Sequence, residues 1–109
     1  MCDSEEKLYI LVRRDLHHSA RAVQACHALS VMMLRHRSDP AVYRWAHERK
    51  TLVLLGVNDE DDLSRWEDEL RARGIICEHF REPDIGNEKT ALVVHPSVDK
   101  RLFRKLRLL

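Results

Sequence analysis

Gln24 and His27 stand three residues apart in Ala22-Val23-Gln24-Ala25-Cys26-His27-Ala28-Leu29, a stretch otherwise made of small and apolar side chains. On a helix that spacing puts both on one side. An imidazole titrates near neutral pH and can take a proton from water. A carboxamide beside it can donate to a carbonyl or hold that water. Just upstream, Arg13-Arg14-Asp15 closes an apolar run. Asp15 can orient an imidazole or simply turn the chain, and Arg13 or Arg14 can grip a phosphate through paired donors. Together these groups would suit base-assisted attack by a placed water, with donors for a developing negative charge. The bland alternative for His27 is a structural histidine bonded to a neighbouring carbonyl.

The elements that must position these groups follow from the apolar pattern. Lys7 to Arg13 is a continuous apolar run, as expected of a strand buried on both faces. Ser19 is a plausible N-cap for a helix from about Ala20 to His36. On that helix Ala22, Ala25, Cys26, Leu29, Ser30, Met33 and Leu34 share one arc, while Ala20, Gln24, His27 and Val31 form a separate stripe. Pro40 opens a second helix to about Arg49, on which Tyr43 and Trp45 anchor the helix or face a partner subunit. Thr51 to Val57 is a second strand, and Asn58 or Asp59 caps a third helix that Gly74 stops near Arg73. Ile75 to Phe80 and Thr90 to Val94 are further strands around a loop, Arg81 to Glu88; a basic helix ends the chain. The order predicts an α/β protein: one domain over residues 1–109, a three-layer sandwich with a four-stranded, mostly parallel or mixed sheet.

Composition narrows the function classes. With 109 residues, 44% hydrophobic and 34% charged, the chain is an ordinary soluble type, and no apolar run nears a membrane span. Met1 to Glu6 is acidic, the opposite of a signal peptide and expected to be frayed, so a cytoplasmic protein is expected. Cys2, Cys26 and Cys77 form neither a disulfide framework nor a metal knuckle; Cys26 and Cys77 are expected to pack as small hydrophobes. His17 and His18 lack a third ligand at helical spacing, so neither a metal nor a cofactor is called for. The net charge is only +1, but it is polarised. Residues 59–69 hold seven acids and one base, and residues 100–107 hold five bases and no acid. Lys100, Arg101, Arg104 and Lys105 sit at four-residue spacings that would suit a phosphate backbone; a solvated surface is the plainer account.

Nearly the whole chain resembles the type-2 peptidyl-tRNA hydrolase family, whose signature is roughly V-R-x-D-L, a short loop, then G-K-x-A-A-Q-x-x-H-A. Val12, Arg13, Asp15 and Leu16 match the first part, and Gln24, His27 and Ala28 the second. Thr90 to Pro96 looks like the family's fourth strand, with His95 where glycine is usual, and Leu106 to Leu109 looks like its closing L-K-L-L. The resemblance implies a three-layer fold, frequent homodimers and cleavage of the ester joining a peptide to the tRNA 3′ end. It points to a crevice of Asp15, Gln24, His27 and Thr90, helped by Arg13. Two positions depart from the pattern: Ser19-Ala20 replaces G-K, removing the functional lysine, and Glu82-Pro83-Asp84 replaces the loop D-A-G-R-T. A divergent branch, the peptidyl-tRNA hydrolase domain-containing proteins, is similar in both respects. Either Glu82 or Asp84 is then the candidate for the missing loop acid. A non-catalytic tRNA-binding module, an enzyme for another acyl substrate, and a purely interaction-based role for the Tyr43/Trp45 helix are the alternatives.

Overall fold

The computed structural model describes residues 6–109; residues 1–5, with Cys2 and most of the acidic N-terminus, lie outside them. Glu6 is described, and its carboxylate accepts from Nε and Nη2 of the Arg44 guanidinium. Four strands, β1 (Leu8–Arg13), β2 (Leu52–Val57), β3 (Cys77–Glu82) and β4 (Glu88–Val94), form one sheet in the order β2-β1-β4-β3. β1 and β2 run parallel, Leu8 opposite Leu52 through Arg13 opposite Val57. β4 is antiparallel to both β1 and β3, so the sheet is mixed.

Helix α1 (His18–His36) covers one face of the sheet and α3 (Glu60–Ala72) covers the other. Strand alternation therefore feeds two cores. Leu8, Ile10, Val12, Ala91 and Val93 meet Ala25, Ala28 and Met32 of α1. Tyr9, Leu11, Leu92 and Val94 meet Leu63 and Leu70 of α3. Burial on both faces is why β1 and β4 carry apolar residues without interruption. Helix α2 (Pro40–Arg44) joins the α1 layer and runs into one π turn, Trp45–Arg49, that ends at Lys50 with φ 57°. Trp45 is buried there and donates Nε1–H to the Thr51 carbonyl at 2.7 Å. Trp45 is thus the anchor, and Tyr43 points outward.

Several expected boundaries shift, each for a local reason. The cap of α1 is His17, whose side chain accepts from the Ser19 amide; Ser19 itself lies inside the first turn. Asp59 rather than Asn58 caps α3, accepting from the Asp62 amide. β3 starts later than expected and runs on to Glu82, because it pairs with β4 as a hairpin. Only Pro83–Ile85, a 3₁₀ turn, and the left-handed Gly86 and Asn87 separate the two strands. The basic C-terminal helix does not form. One 3₁₀ turn, Lys100–Phe103, is followed by chain that lies along the free edge of β2. Gly56 N–H donates to the Arg107 carbonyl at 2.9 Å and Leu109 N–H to the Leu54 carbonyl at 3.0 Å. Sheet-edge pairing has replaced the helix, and the four-residue pairing of Lys100 with Arg104 and Arg101 with Lys105 goes with it.

Candidate active site

The end of α1 nearest its N-terminus lies against the β3–β4 hairpin. Its buried arc is Gln24, Ala25, Ala28 and Met32, one step round from the expected arc, and Ala22, Cys26, Ser30 and Leu34 are exposed. Cys26 therefore does not pack as a small hydrophobe. The helix crosses β3 as well as β1 and β4, and the polar edge strand β3 draws the Gln24 stripe inward.

Three residues of β3 two apart in sequence face α1. Glu78 bonds to His36 at 2.7 Å and Arg35 at 3.2 Å, Phe80 stacks on His27, and Glu82 bonds to Gln24. The ring centroids of His27 and Phe80 are 4.5 Å apart at 20°. The His27 imidazole makes no hydrogen bond among the described residues, so no neighbouring carbonyl holds it; its contact is the Phe80 ring. Phe80 was missed in the sequence; the alternation Glu78, Phe80, Glu82 was the signal that pointed to it.

Gln24 is only 5% exposed, and its amide is held at both ends. Thr90 Oγ1–H donates to its Oε1 at 2.7 Å, and its Nε2 donates to Glu82 Oε1 at 2.7 Å. The second Nε2–H has no partner among the described residues. A buried unpaired donor is uncommon enough to require a reason. Glu82 also accepts from the Asp84 amide. The Gln24 bond, the Asp84 amide and the nearby His27 hold its carboxyl below the ordinary carboxylate range. Of the two loop acids, Glu82 is the one joined to Gln24.

A β-bulge aims Thr90. Alternation would send it to the α3 side with Leu92 and Val94. Pairing with β3, however, steps from Phe80 opposite Ala91 to Arg81 opposite Lys89, leaving Thr90 as the extra residue. An extra residue turns the side chains around it. Thr90 reaches α1, and Lys89 swings to the α3 side, where its Nζ meets Glu67 Oε1 at 3.0 Å.

Arg13 and Asp15 form an adjoining brace. The buried Arg13 guanidinium bonds both Asp15 oxygens at 2.9 Å, Glu88 Oε1 at 2.8 Å and the Lys89 carbonyl at 3.0 Å. Four of its five donors are thereby used within the protein. The Asp15 bond and then Glu88 raise the Arg13 pKa, although burial opposes them, and Arg13 in turn lowers that of Asp15. The brace fixes the start of β4 to the end of β1, beside the Gln24–Thr90 contact. Arg14 points elsewhere: its guanidinium lies over Gly56 and donates to the Leu108 carbonyl at 2.7 Å. Arg101, Arg104 and Lys105 line a groove beside α3, on the opposite side of the sheet from α1, and Lys100 opens the 3₁₀ turn that carries Arg101. Lys89 is turned away and Ala20 occupies the first turn of α1.

A mixed sheet between helical layers, with a cluster of bonded polar side chains between a helix and a bulged hairpin, defines an α/β protein. The chain belongs to the family described as peptidyl-tRNA hydrolase PTH2, whose model matches residues 6–109. A comparison with curated proteins gave no match. No helix of the described residues is long and apolar enough to cross a membrane.

Proposed function

We propose that this protein is an esterase that cleaves the bond between a peptidyl or other acyl group and the tRNA 3′ end, in the cytoplasm, as a single-domain unit. The observation that carries the proposal is the buried Gln24 amide, fixed by Thr90 and Glu82, with one N–H left over and the unbonded His27 imidazole one turn away. His27 takes a proton from the attacking water as its oxygen bonds to the acyl carbon, and returns that proton to the ribose 3′ oxygen as the ester C–O bond breaks. The spare Gln24 N–H donates to the carbonyl oxygen as it gains charge, already oriented and so without rearrangement. The Glu82 carboxylate compensates the imidazolium that results. Thr90 positions Gln24, and the Arg13–Asp15 brace positions Thr90. Arg14, Lys100, Arg101, Arg104 and Lys105 meet the tRNA backbone away from the reaction.

One observation favours a second reading, a tRNA-binding module without turnover. Ala20 stands where the family has lysine, and Lys89 is tied to Glu67 on the other face, so neither supplies an ammonium group to the crevice. Release of the acyl group from an N-blocked aminoacyl-tRNA separates the two. Turnover that falls by roughly 10²–10⁴-fold in His27→Ala supports the esterase. Salt-sensitive tRNA binding without turnover leaves the module, and turnover unaffected by His27→Ala removes His27 as the base. A homodimer through the outward faces of α1 and α2, where Leu34 and Tyr43 are exposed, is part of the proposal and is tested by sedimentation.

A further inference from the structure

Beside α3, on the other side of the sheet from Gln24 and His27, the structure has an open groove of about 540 Å³. Its apolar wall is built by Trp66, Ile75 and Leu102, each partly buried against the core. Around them stand Arg73, Arg104 and Lys105, with the ion pair of Arg101 and Asp99 closing one side. Arg73 is engaged by Glu69 at 2.6 Å. Arg104 and Lys105 have no hydrogen-bond or ion-pair partner among the described residues. Two adjacent uncommitted cations beside an aromatic wall form an anion site with a stacking surface.

The indole is partly exposed and lines the groove. Trp66 meets Phe103 obliquely, with centroids 5.3 Å apart and planes at 58°. It therefore lines both this groove and a smaller cavity of about 270 Å³ beside Asp62, Arg65 and Glu69. A bare anion would have no use for the apolar wall, and an apolar ligand would leave the cations without a counter-charge. We infer that the groove binds a nucleotide, its base stacked on Trp66 and its phosphate between Arg104 and Lys105. The groove volume lies within the range of sites that enclose molecules of that size. Stacking on an aromatic side chain is tolerant of base identity, so the site selects the nucleotide class rather than one base.

Position gives the site a second property. Arg14 and Lys105 both line a cleft of about 250 Å³ over Gly56. Arg14 follows the last residue of β1, so this cleft, whose lining also includes Asn58 and Asp62, lies between the end of β1 and the groove. The same chemistry is offered by a free nucleotide and by one unit of an RNA strand. The inference stands whether or not the crevice beside α1 hydrolyses esters.

Intrinsic fluorescence of the full chain tests it, because Trp45 is buried in the other layer and Trp66 lines the groove. AMP, adenosine, inorganic phosphate and a five-residue adenylate RNA are titrated into the protein and into Arg104→Ser/Lys105→Ser. Both substituted side chains are exposed and unpaired, so this variant should keep the wild-type melting temperature. The expected result is saturable quenching by AMP or the RNA, at least about tenfold weaker for adenosine and for phosphate, and lost in the double variant. AMP and RNA binding alike would identify a free-nucleotide site; RNA binding with AMP weak would identify a strand contact. Calorimetry on Trp66→Leu, which lacks the reporter, should show the same loss. No quenching at millimolar ligand, equal binding by the double variant, or phosphate binding as tightly as AMP would each overturn the inference.

Discussion

Replacing Glu67 by glutamine leaves three basic groups without the carboxylate that collects them. Glu67 is 4% exposed and accepts from His79 Nδ1 at 2.8 Å, Arg71 at 2.8 Å and Lys89 Nζ at 3.0 Å. Burial alone would push its carboxyl up; the bonds from His79, Lys89 and Arg71 outweigh burial and hold it down at about 2. Against an unfolded value of 4.5, that depression is worth about 3 kcal/mol of folding stability once the group is ionised in both states. Breaking a buried pair from one side costs about 3–5 kcal/mol. The lower end applies here, since Arg71 is half exposed and regains water. A lowered folded pKa gives stability that is present above the unfolded value and is lost as pH falls from 4.5 toward 2. The wild-type advantage over Glu67→Gln should thus be about 3 kcal/mol at pH 5.5 and only about 1 kcal/mol at pH 3, measured by urea unfolding. A gap that is the same at both pH values would refute the account of Glu67 as an ionised hub. The substitution also removes the Lys89 ion pair, while the Lys89 backbone stays bonded to Glu60 and Arg13, so the Thr90–Gln24 contact should persist.

Other perturbations test separate features. Thr90→Val keeps the volume but strands Gln24 Oε1 in a buried site, and should cost about 1–3 kcal/mol by urea midpoint with an unchanged slope. In a Cys2→Ser background a thiol reagent at pH 8 should label Cys26 in the native protein. Cys77, whose thiol burial pushes up to about 11, should be labelled only on unfolding. Gly56→Ala would place a Cβ 2.3 Å from Arg14 Nε and displace the guanidinium from the Leu108 carbonyl. Amide exchange at Leu109 should then accelerate roughly tenfold.

The parts of this fold that the sequence made legible were those in which one periodicity had one cause. β1, β2 and the core of β4 are apolar because both faces are covered, and α3 is acidic in its first turn and apolar at Leu63, Trp66 and Leu70. The α1 face was misjudged by one step because Ala22 and Cys26 are small enough to sit at the surface without cost. The extension of β3 to Glu82 was hidden because a polar edge strand finds its partners in side chains from two different layers. The bulge at Thr90 left no trace in the alternation, since one skipped pairing reverses the faces only from that point onward. Gln24 and His27 could be placed together from helical spacing, but Phe80 and the choice of Glu82 over Asp84 required the hairpin. At the C-terminus, basic residues at helical spacing were overruled by backbone groups on β2 that needed pairing.

That last segment also has a bearing on solubility. A strand edge with unpaired amides and carbonyls is a template for a strand from another molecule. Here the two outer edges are protected differently. Arg107 to Leu109 occupy the β2 edge through bonds to Leu54 and Gly56, while β3 carries Glu78, His79, Arg81 and Glu82 and a neighbouring bulge. Deleting Arg107 to Leu109 would leave a parallel strand open along Leu54, Leu55 and Gly56. The loss would show first as concentration-dependent self-association, well before any loss of the crevice.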